Sequence, residues 1–202
     1  MKLFYTPGAC SLSPHIVLCE TGLKFTLEKV DLVQKKTESG EDYLIINPKG
    51  KVPALLLNDG NLLTEGVVIV QYLADQVPNS GLIPPVTSFL RYRTLEWLSY
   101  LSTELHKSFG PLFKPTTPDE YKPIVRGYVE KQFNFLDSVL KDSQYLQGNK
   151  FSVADAYFFT ILRWGFAMQF DIRQKQYLAS YFDRVAKRPA VEAALVAEGL
   201  SS

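Results

Sequence analysis

The chain has 202 residues, 22 basic against 21 acidic side chains, a formal net charge of +1 and 46% hydrophobic content, which suits one large or two small globular domains. Basic residues are interspersed with acids and form no run of the kind that tracks phosphates, which argues against a nucleic-acid binder. The most apolar stretch, Ala156 to Leu162, is bounded by Asp155 and Arg163 and is too short to span a bilayer.

Leu3-Phe-Tyr-Thr6 reads as a short strand with no charged leader before it, and Pro7-Gly8 breaks it. Ser13-Pro14 reads as the cap and first residue of a helix through Glu20, with Gly22 as its stop. Cys10 lies between that strand and that helix, near backbone donors that favour a thiolate, so one reading is a reactive thiol with a lowered pKa. The other is an inert packing residue. Cys19, in the helix interior, reads as core. The two cysteines are spaced neither as CxxC nor as a zinc site, so a metal is not expected, and they fit free thiols in a reducing, cytoplasmic compartment.

Phe25 to Val30 alternates apolar and polar residues as a half-buried strand does, and a short helix is expected near Glu41 to Ile46. Val52-Pro53 opens an apolar run, Asn58-Asp59-Gly60 turns the chain, and a second short strand delivers Glu65 to the edge of a helix that begins at Gly66. The order is strand, helix, strand, short helix, strand, strand, helix. This is a thioredoxin-like βαβαββα layout, with a right-handed crossover in its first unit.

Two readings fit the Glu65-Gly66 pair. In one, the bare N–H groups of the helix start receive a ligand carboxylate while Glu65 accepts from an ammonium, which makes a clamp for an amino-acid zwitterion. Pro53 removes a backbone donor, and a cis bond there would turn the polar groups of Val52 toward a peptide-like ligand. In the other, a hairpin simply leads into a helix that Glu65 caps.

Pro78 to Pro85 interrupts the helical periodicity and predicts a linker at 79–85 between a domain at 1–78 and an all-helical one at 86–202. Apolar residues from Phe89 to Leu105 predict a long helix that ends before Gly110-Pro111. Thr117-Pro118 reads as the start of a second helix that runs to about Lys141, with a bend at Pro123. Ser152-Val-Ala-Asp155 is a capping box, flanked by Phe151 and Ala156 as a small staple, and it opens a helix from Tyr157 to Met168 that is apolar on nearly every side. Asp155 is therefore read as a folding residue. Of the two histidines, His106 stands near the end of the long helix, where it either orients a thiol or is simply favoured by the dipole. His15 reads as packed or solvent-facing.

PGACSLSPH at 7–15, NPKGKVPAL at 47–55, LLTEGVVIVQYLAD at 62–75, TELHK at 103–107, FSVADAY at 151–157 and RVAKRPAV at 184–191 together resemble the bacterial beta-class glutathione transferases, over essentially the whole chain. The resemblance implies a thioredoxin-like domain followed by a helical one, a homodimer, and glutathione as co-substrate with no further cofactor. It implies that Glu65 and the Gly66 N–H hold the γ-glutamyl group, that Val52, after which Pro53 follows, pairs with the cysteinyl backbone, and that Lys35 meets the glycine carboxylate. Thr103, Glu104 and His106 would complete the site, in part across a dimer interface. Cys10 and His106 would act on the thiol, and Phe109, Phe113, Tyr157 and Trp164 would line the pocket of a hydrophobic electrophile. Two positions depart from the family: Ser99 stands where an asparagine often touches glutathione, and Gly66 where the wider superfamily commonly has serine. A thiol–disulfide exchanger working through Cys10 and a non-enzymatic binder of hydrophobic ligands are the alternative functions.

Overall fold

The computed structural model describes residues 1–200, and it divides into two compact units: Met1–Ile83 together with the C-terminal stretch from Ala186, and Pro84–Val185. The division expected from sequence kept all of 86–202 with the helical part; the contacts group the final helix with the first unit instead. Positions 201 and 202 of that expected domain lie outside the described residues.

The first unit is built on a five-stranded mixed sheet. Its strands are β1 (Lys2–Tyr5), β2 (Thr26–Asp31), β3 (Lys36–Thr37), β4 (Ala54–Leu56) and β5 (Leu62–Thr64), in the spatial order β3-β2-β1-β4-β5. β1 runs parallel to β2, with Leu3 opposite Leu27, and antiparallel to β4, with Phe4 opposite Ala54. Side chains on a strand alternate between faces. Tyr5 accordingly meets His15 of helix α1 (Leu12–Thr21), whereas Phe4 packs against Tyr43 of the short helix α2 (Tyr43–Ile46) in a buried cluster with Val30, Val52 and Ala54. Helix α3 (Gly66–Gln76) packs on α1, as does α9 (Pro189–Ala197), which closes the unit.

Helix α1 starts earlier than its Ser13-Pro14 signal. Leu12 donates to the Ala9 carbonyl and Ser13 to the Cys10 carbonyl, so turning begins in the loop and Pro14 falls in the first turn, where a missing N–H breaks no helical bond. The stop is as read: Gly22 adopts φ 68, the left-handed conformation that glycine reaches without a Cβ clash. Cys19 is half-buried rather than core.

In the second unit, α4 (Phe89–Tyr100) continues through a π-helical stretch, Leu101–His106, into α5 (Lys107–Phe113). The long helix therefore passes through Gly110-Pro111 instead of ending before them. Pro111 lies two residues from the end, so only its own bond toward Lys107 is lost. Helix α6 (Tyr121–Val139) begins after Thr117-Pro118, which form a turn whose Pro118 carbonyl accepts from Tyr121 N. Pro123 sits in the first turn of α6 and needs no bend there.

Helix α7 (Val153–Ala167) is buried on nearly all sides, as its composition predicts. The capping box is present. The fully buried Asp155 carboxylate accepts from Ser152 N (2.9 Å), Ser152 Oγ (2.8 Å), Leu146 N (2.9 Å) and Tyr181 OH (3.1 Å), the last from helix α8 (Gln176–Ala186). Burial nevertheless pushes its carboxyl up to about 6, the four hydrogen bonds opposing that rise. Among the described residues no helix is long and apolar enough to cross a membrane, and no group of three or more His, Cys, Asp or Glu side chains is placed to hold a metal ion.

Candidate active site

The first unit brings Cys10, Lys35, Val52, Pro53, Glu65 and Gly66 onto one sheet and its loops. Asn47, almost fully buried, shapes the NPKGK turn: its Nδ2 donates to the Lys51 carbonyl at 2.8 Å, its Oδ1 accepts from Lys49 N at 3.2 Å, and its own carbonyl accepts from Gly50 N at 2.8 Å. Gly50 has φ 58, where any side chain is strained, and a Cβ there would lie 2.9 Å from Leu44 Cδ2 and push that side-chain tip aside. The turn leads into a cis Val52-Pro53 bond.

Glu65 follows β5 at φ 69 and ψ 109, a left-handed conformation that a side chain seldom adopts, and immediately precedes the first residue of α3. The sharp break at Glu65 separates strand from helix, so the helix opens at Gly66 as the sequence implies. Glu65 Oε1 accepts from Lys49 Nζ at 2.7 Å, and the same ammonium reaches Thr64 Oγ1 at 2.9 Å. Lys35, itself at φ 56, donates through Nζ to the Gly50 carbonyl at 2.8 Å, which puts two lysines on the same turn.

Cys10 is a thiol here, not the thiolate that its position before a helix suggests. Burial pushes it up to about 11, and the Glu65 charge adds to that; the N–H groups of Cys10 and Ser11 and the Lys51 charge pull the other way without winning. Its Sγ donates to the Val52 carbonyl at 3.2 Å. Desolvation outweighs the helix start, since low dielectric penalises the anion.

His15 is buried and paired, so of the two environments expected for it packing is the one found. Its Nδ1 lies 2.9 Å from Glu198 Oε1, with the Phe25 ring edge-on at 5.6 Å. The other oxygen of Glu198 accepts from Gly8 N at 2.9 Å, so a residue just after α9 ties down the loop that carries Cys10. Nothing local in the sequence marks Glu198 for this. Arg188, in the RPAV motif, forks onto the Glu20 carboxylate at 2.6 and 3.0 Å and fixes α9 to α1.

The second unit carries Ser99, Thr103, Glu104 and His106 along α4 and the π-helical turn. Ser99 is exposed, and its carbonyl accepts from Thr103 Oγ1 at 3.1 Å. Glu104 accepts from Thr103 Oγ1 at 3.3 Å and from the Tyr128 hydroxyl of α6 in a short bond, a partner that sequence reasoning missed. His106 Nδ1 is 2.5 Å from the Tyr157 hydroxyl, and the Trp164 ring stands edge-on to the imidazole at 4.7 Å.

The four residues expected around an electrophile form one aromatic group with His106. Phe109 meets Phe113 at 6.0 Å and Trp164 at 5.8 Å, and Phe113 meets Trp164 at 5.5 Å. Phe109 is completely buried, backed by Phe133 and Phe170, whereas Phe113 is 46% exposed. Phe109 thus packs behind the group and Phe113 presents its face.

Residues 8–76 match the family model for the glutathione S-transferase N-terminal domain and residues 100–189 that for the C-terminal domain. Glutathione S-transferase GstA of Escherichia coli O157:H7 is 56% identical over 200 residues, spanning 99% of this chain and 100% of that protein. A sphingomonad glutathione S-transferase solved with glutathione is 50% identical, each chain covered completely, with a TM-score of 0.96. The beta-class glutathione S-transferase of Sphingomonas chungbukensis is 47% identical, again with complete coverage of both chains, at a TM-score of 0.97. With both domain models matched in order and relatives this similar from end to end, the chain belongs to the glutathione S-transferase family and is a glutathione transferase.

Proposed function

We propose that the enzyme is of the beta class and joins the thiol of glutathione to an electrophilic carbon of a hydrophobic small molecule, as a cytoplasmic homodimer. The observation that carries the reading is the Glu65-Gly66 junction, where a residue at φ 69 immediately precedes the opening N–H groups of α3. A γ-glutamyl group presents an ammonium and a carboxylate from one carbon. Glu65 takes the first and Gly66 N the second. The backbone of Val52, which Pro53 follows, pairs with the cysteinyl residue, and Lys35 neutralises the glycine carboxylate. Ser99, Thr103, Glu104 and His106 act on the same tripeptide, from this chain or from the second copy.

Bound glutathione loses its thiol proton, and its sulfur attacks the electrophilic carbon while the leaving group departs with the bonding pair. Phe113, Tyr157 and Trp164, with Phe109 behind them, form the apolar surface for that co-substrate. Conjugation is preferred to thiol–disulfide exchange because the Cys10 thiol, held near 11, supplies little thiolate at neutral pH. Glu65→Ala tests the reading: it should lose retention on immobilised glutathione and turnover of an aryl halide while keeping the parent's circular dichroism. Unchanged retention would remove the clamp.

A further inference from the structure

His106 is held by more than its own helix. Tyr157 and Trp164 stand seven residues apart on α7, two turns along one face, and both approach the imidazole. The Tyr157 hydroxyl is 2.5 Å from Nδ1, its ring centroid lies 5.8 Å from that of the imidazole at 64°, and the Trp164 ring lies 4.7 Å away at 71°. Tyr157 and Trp164 are themselves nearly buried, at 4% and 8% exposure. The imidazole therefore lies against two fixed rings, with one of its nitrogens engaged by a hydroxyl.

We propose that Tyr157 is a positioning residue that sets the tautomer of His106, making Nε2 a hydrogen-bond donor to the glutathione sulfur. A phenol is a stronger acid than the N–H of neutral imidazole, and an imidazole nitrogen is a better acceptor than a phenol oxygen. The bond between them accordingly runs from Tyr157 O–H to Nδ1, and the ring proton resides on Nε2. A donor at Nε2 stabilises a thiolate; it cannot take the proton of a thiol. Glutathione's thiol proton then passes to solvent, and His106 holds the resulting anion for attack instead of acting as its base. Tyr157 thus does more than line an apolar pocket, since its hydroxyl decides which chemistry the histidine performs.

The proposal rests on the reading that His106 faces the sulfur of bound glutathione, and the variants separate the two. The ultraviolet absorbance of the glutathione thiolate bound to the intact enzyme, followed against pH, reports the apparent pKa of the bound thiol; turnover of an aryl chloride reports kcat and KM. Tyr157→Phe keeps the ring and removes only the hydroxyl. It should raise the thiol pKa by about one unit and lower kcat on the order of tenfold near neutral pH, with recovery at high pH and a KM for glutathione within about twofold of the parent's. His106→Gln places an amide donor near the Nε2 position but offers no base, so it should retain far more activity than His106→Ala. A Tyr157→Phe profile identical to the parent's, with His106→Ala still impaired, would overturn the tautomer proposal alone. Loss in His106→Gln equal to that in His106→Ala would overturn the donor role. A fully active His106→Ala would remove the underlying assignment and the proposal with it.

Discussion

Lys49 Nζ lies 2.7 Å from Glu65 Oε1, so the carboxylate proposed to receive the ammonium of glutathione already holds a cation of its own chain. Both side chains are more than half exposed, and a pair of that kind contributes roughly 0–1 kcal/mol. It is weak enough for a ligand ammonium to displace, and it leaves the lysine close by to meet an incoming carboxylate.

Lys49→Ala should therefore leave glutathione affinity within about threefold of the parent's, corresponding to less than about 1 kcal/mol. Glu65→Gln should weaken it at least tenfold. Isothermal titration on both variants checks this. Equal losses in the two would mean that the ion pair, and not the carboxylate alone, forms the site.

The backbone of Glu65 gives a second, independent test. At φ 69 any Cβ is strained, by about 1–3 kcal/mol, so Glu65→Gly should be more stable than Glu65→Ala by about 1 kcal/mol, the reverse of the usual order. Neither variant should bind glutathione. Denaturant unfolding of the pair measures the difference, and an Ala variant as stable as Gly would show that the strain is absorbed locally.

For Cys10 the expectation from its place in the chain and the finding diverge, and alkylation distinguishes them. With both thiols pushed up to about 11, by burial above all, Cys10 should react with iodoacetamide no faster than Cys19 near neutral pH. Below that value the thiolate fraction rises about tenfold for each pH unit, so the Cys10 rate should climb steadily through pH 9 without a plateau. Cys10→Ala should keep most of its conjugating activity. A plateau near pH 7, read by mass spectrometry of the modified peptides, would restore the low-pKa thiolate.

Asp155 makes stability depend on pH in the direction opposite to that of a salt-bridged carboxylate. Its carboxyl titrates at about 6 in the fold against the usual 3.8, so the folded chain binds more protons between those values and stability falls as pH rises through that window. At about 1.4 kcal/mol for each pH unit the effect is roughly 3 kcal/mol. Asp155→Asn should flatten that slope. It should also lower stability at every pH, by about 2–4 kcal/mol, because an amide oxygen cannot satisfy all of the donors at Ser152, Leu146 and Tyr181. Urea unfolding at pH 4.5 and 7 measures both effects.

What could be read from the sequence is what local chemistry dictates. Gly22 ends α1, Ser152 and Asp155 open α7, and the Glu65-Gly66 break divides strand from helix, each within a few residues of its signal. The strand β3 has two residues, too few for any alternation to appear, and the π-helical turn at Leu101–His106 has no periodicity of its own. Distance in sequence hid the rest. Glu198 reaches His15 across 183 positions, Tyr128 reaches Glu104 across 24 and Tyr157 reaches His106 across 51, all bonds that the fold creates after its elements are in place. Of the two readings of Cys10, the raised pKa opposes the reactive one, because a helix start is visible in sequence and desolvation is not.

Gly66 supplies the last prediction, because the space around it is open to one more atom. A Cβ at this position would lie 3.5 Å from Pro53 Cγ and 3.8 Å from Pro53 Cδ, ordinary van der Waals contact, and Gly66 is the first helical residue of α3. The absence of a side chain is therefore not required by packing. Serine at a helix opening is well tolerated and restricts the unfolded chain, a change that contributes about 0.4–1 kcal/mol when the native backbone accepts it. Its hydroxyl would stand beside the N–H group proposed to receive the γ-glutamyl carboxylate. One added hydrogen bond contributes about 0.5–1.5 kcal/mol, so Gly66→Ser should bind glutathione between about twofold and tenfold tighter and melt slightly higher. Gly66→Ala should show the gain in melting temperature without the gain in affinity. If the serine variant binds no more tightly than the alanine one, the carboxylate of glutathione does not sit at the start of α3.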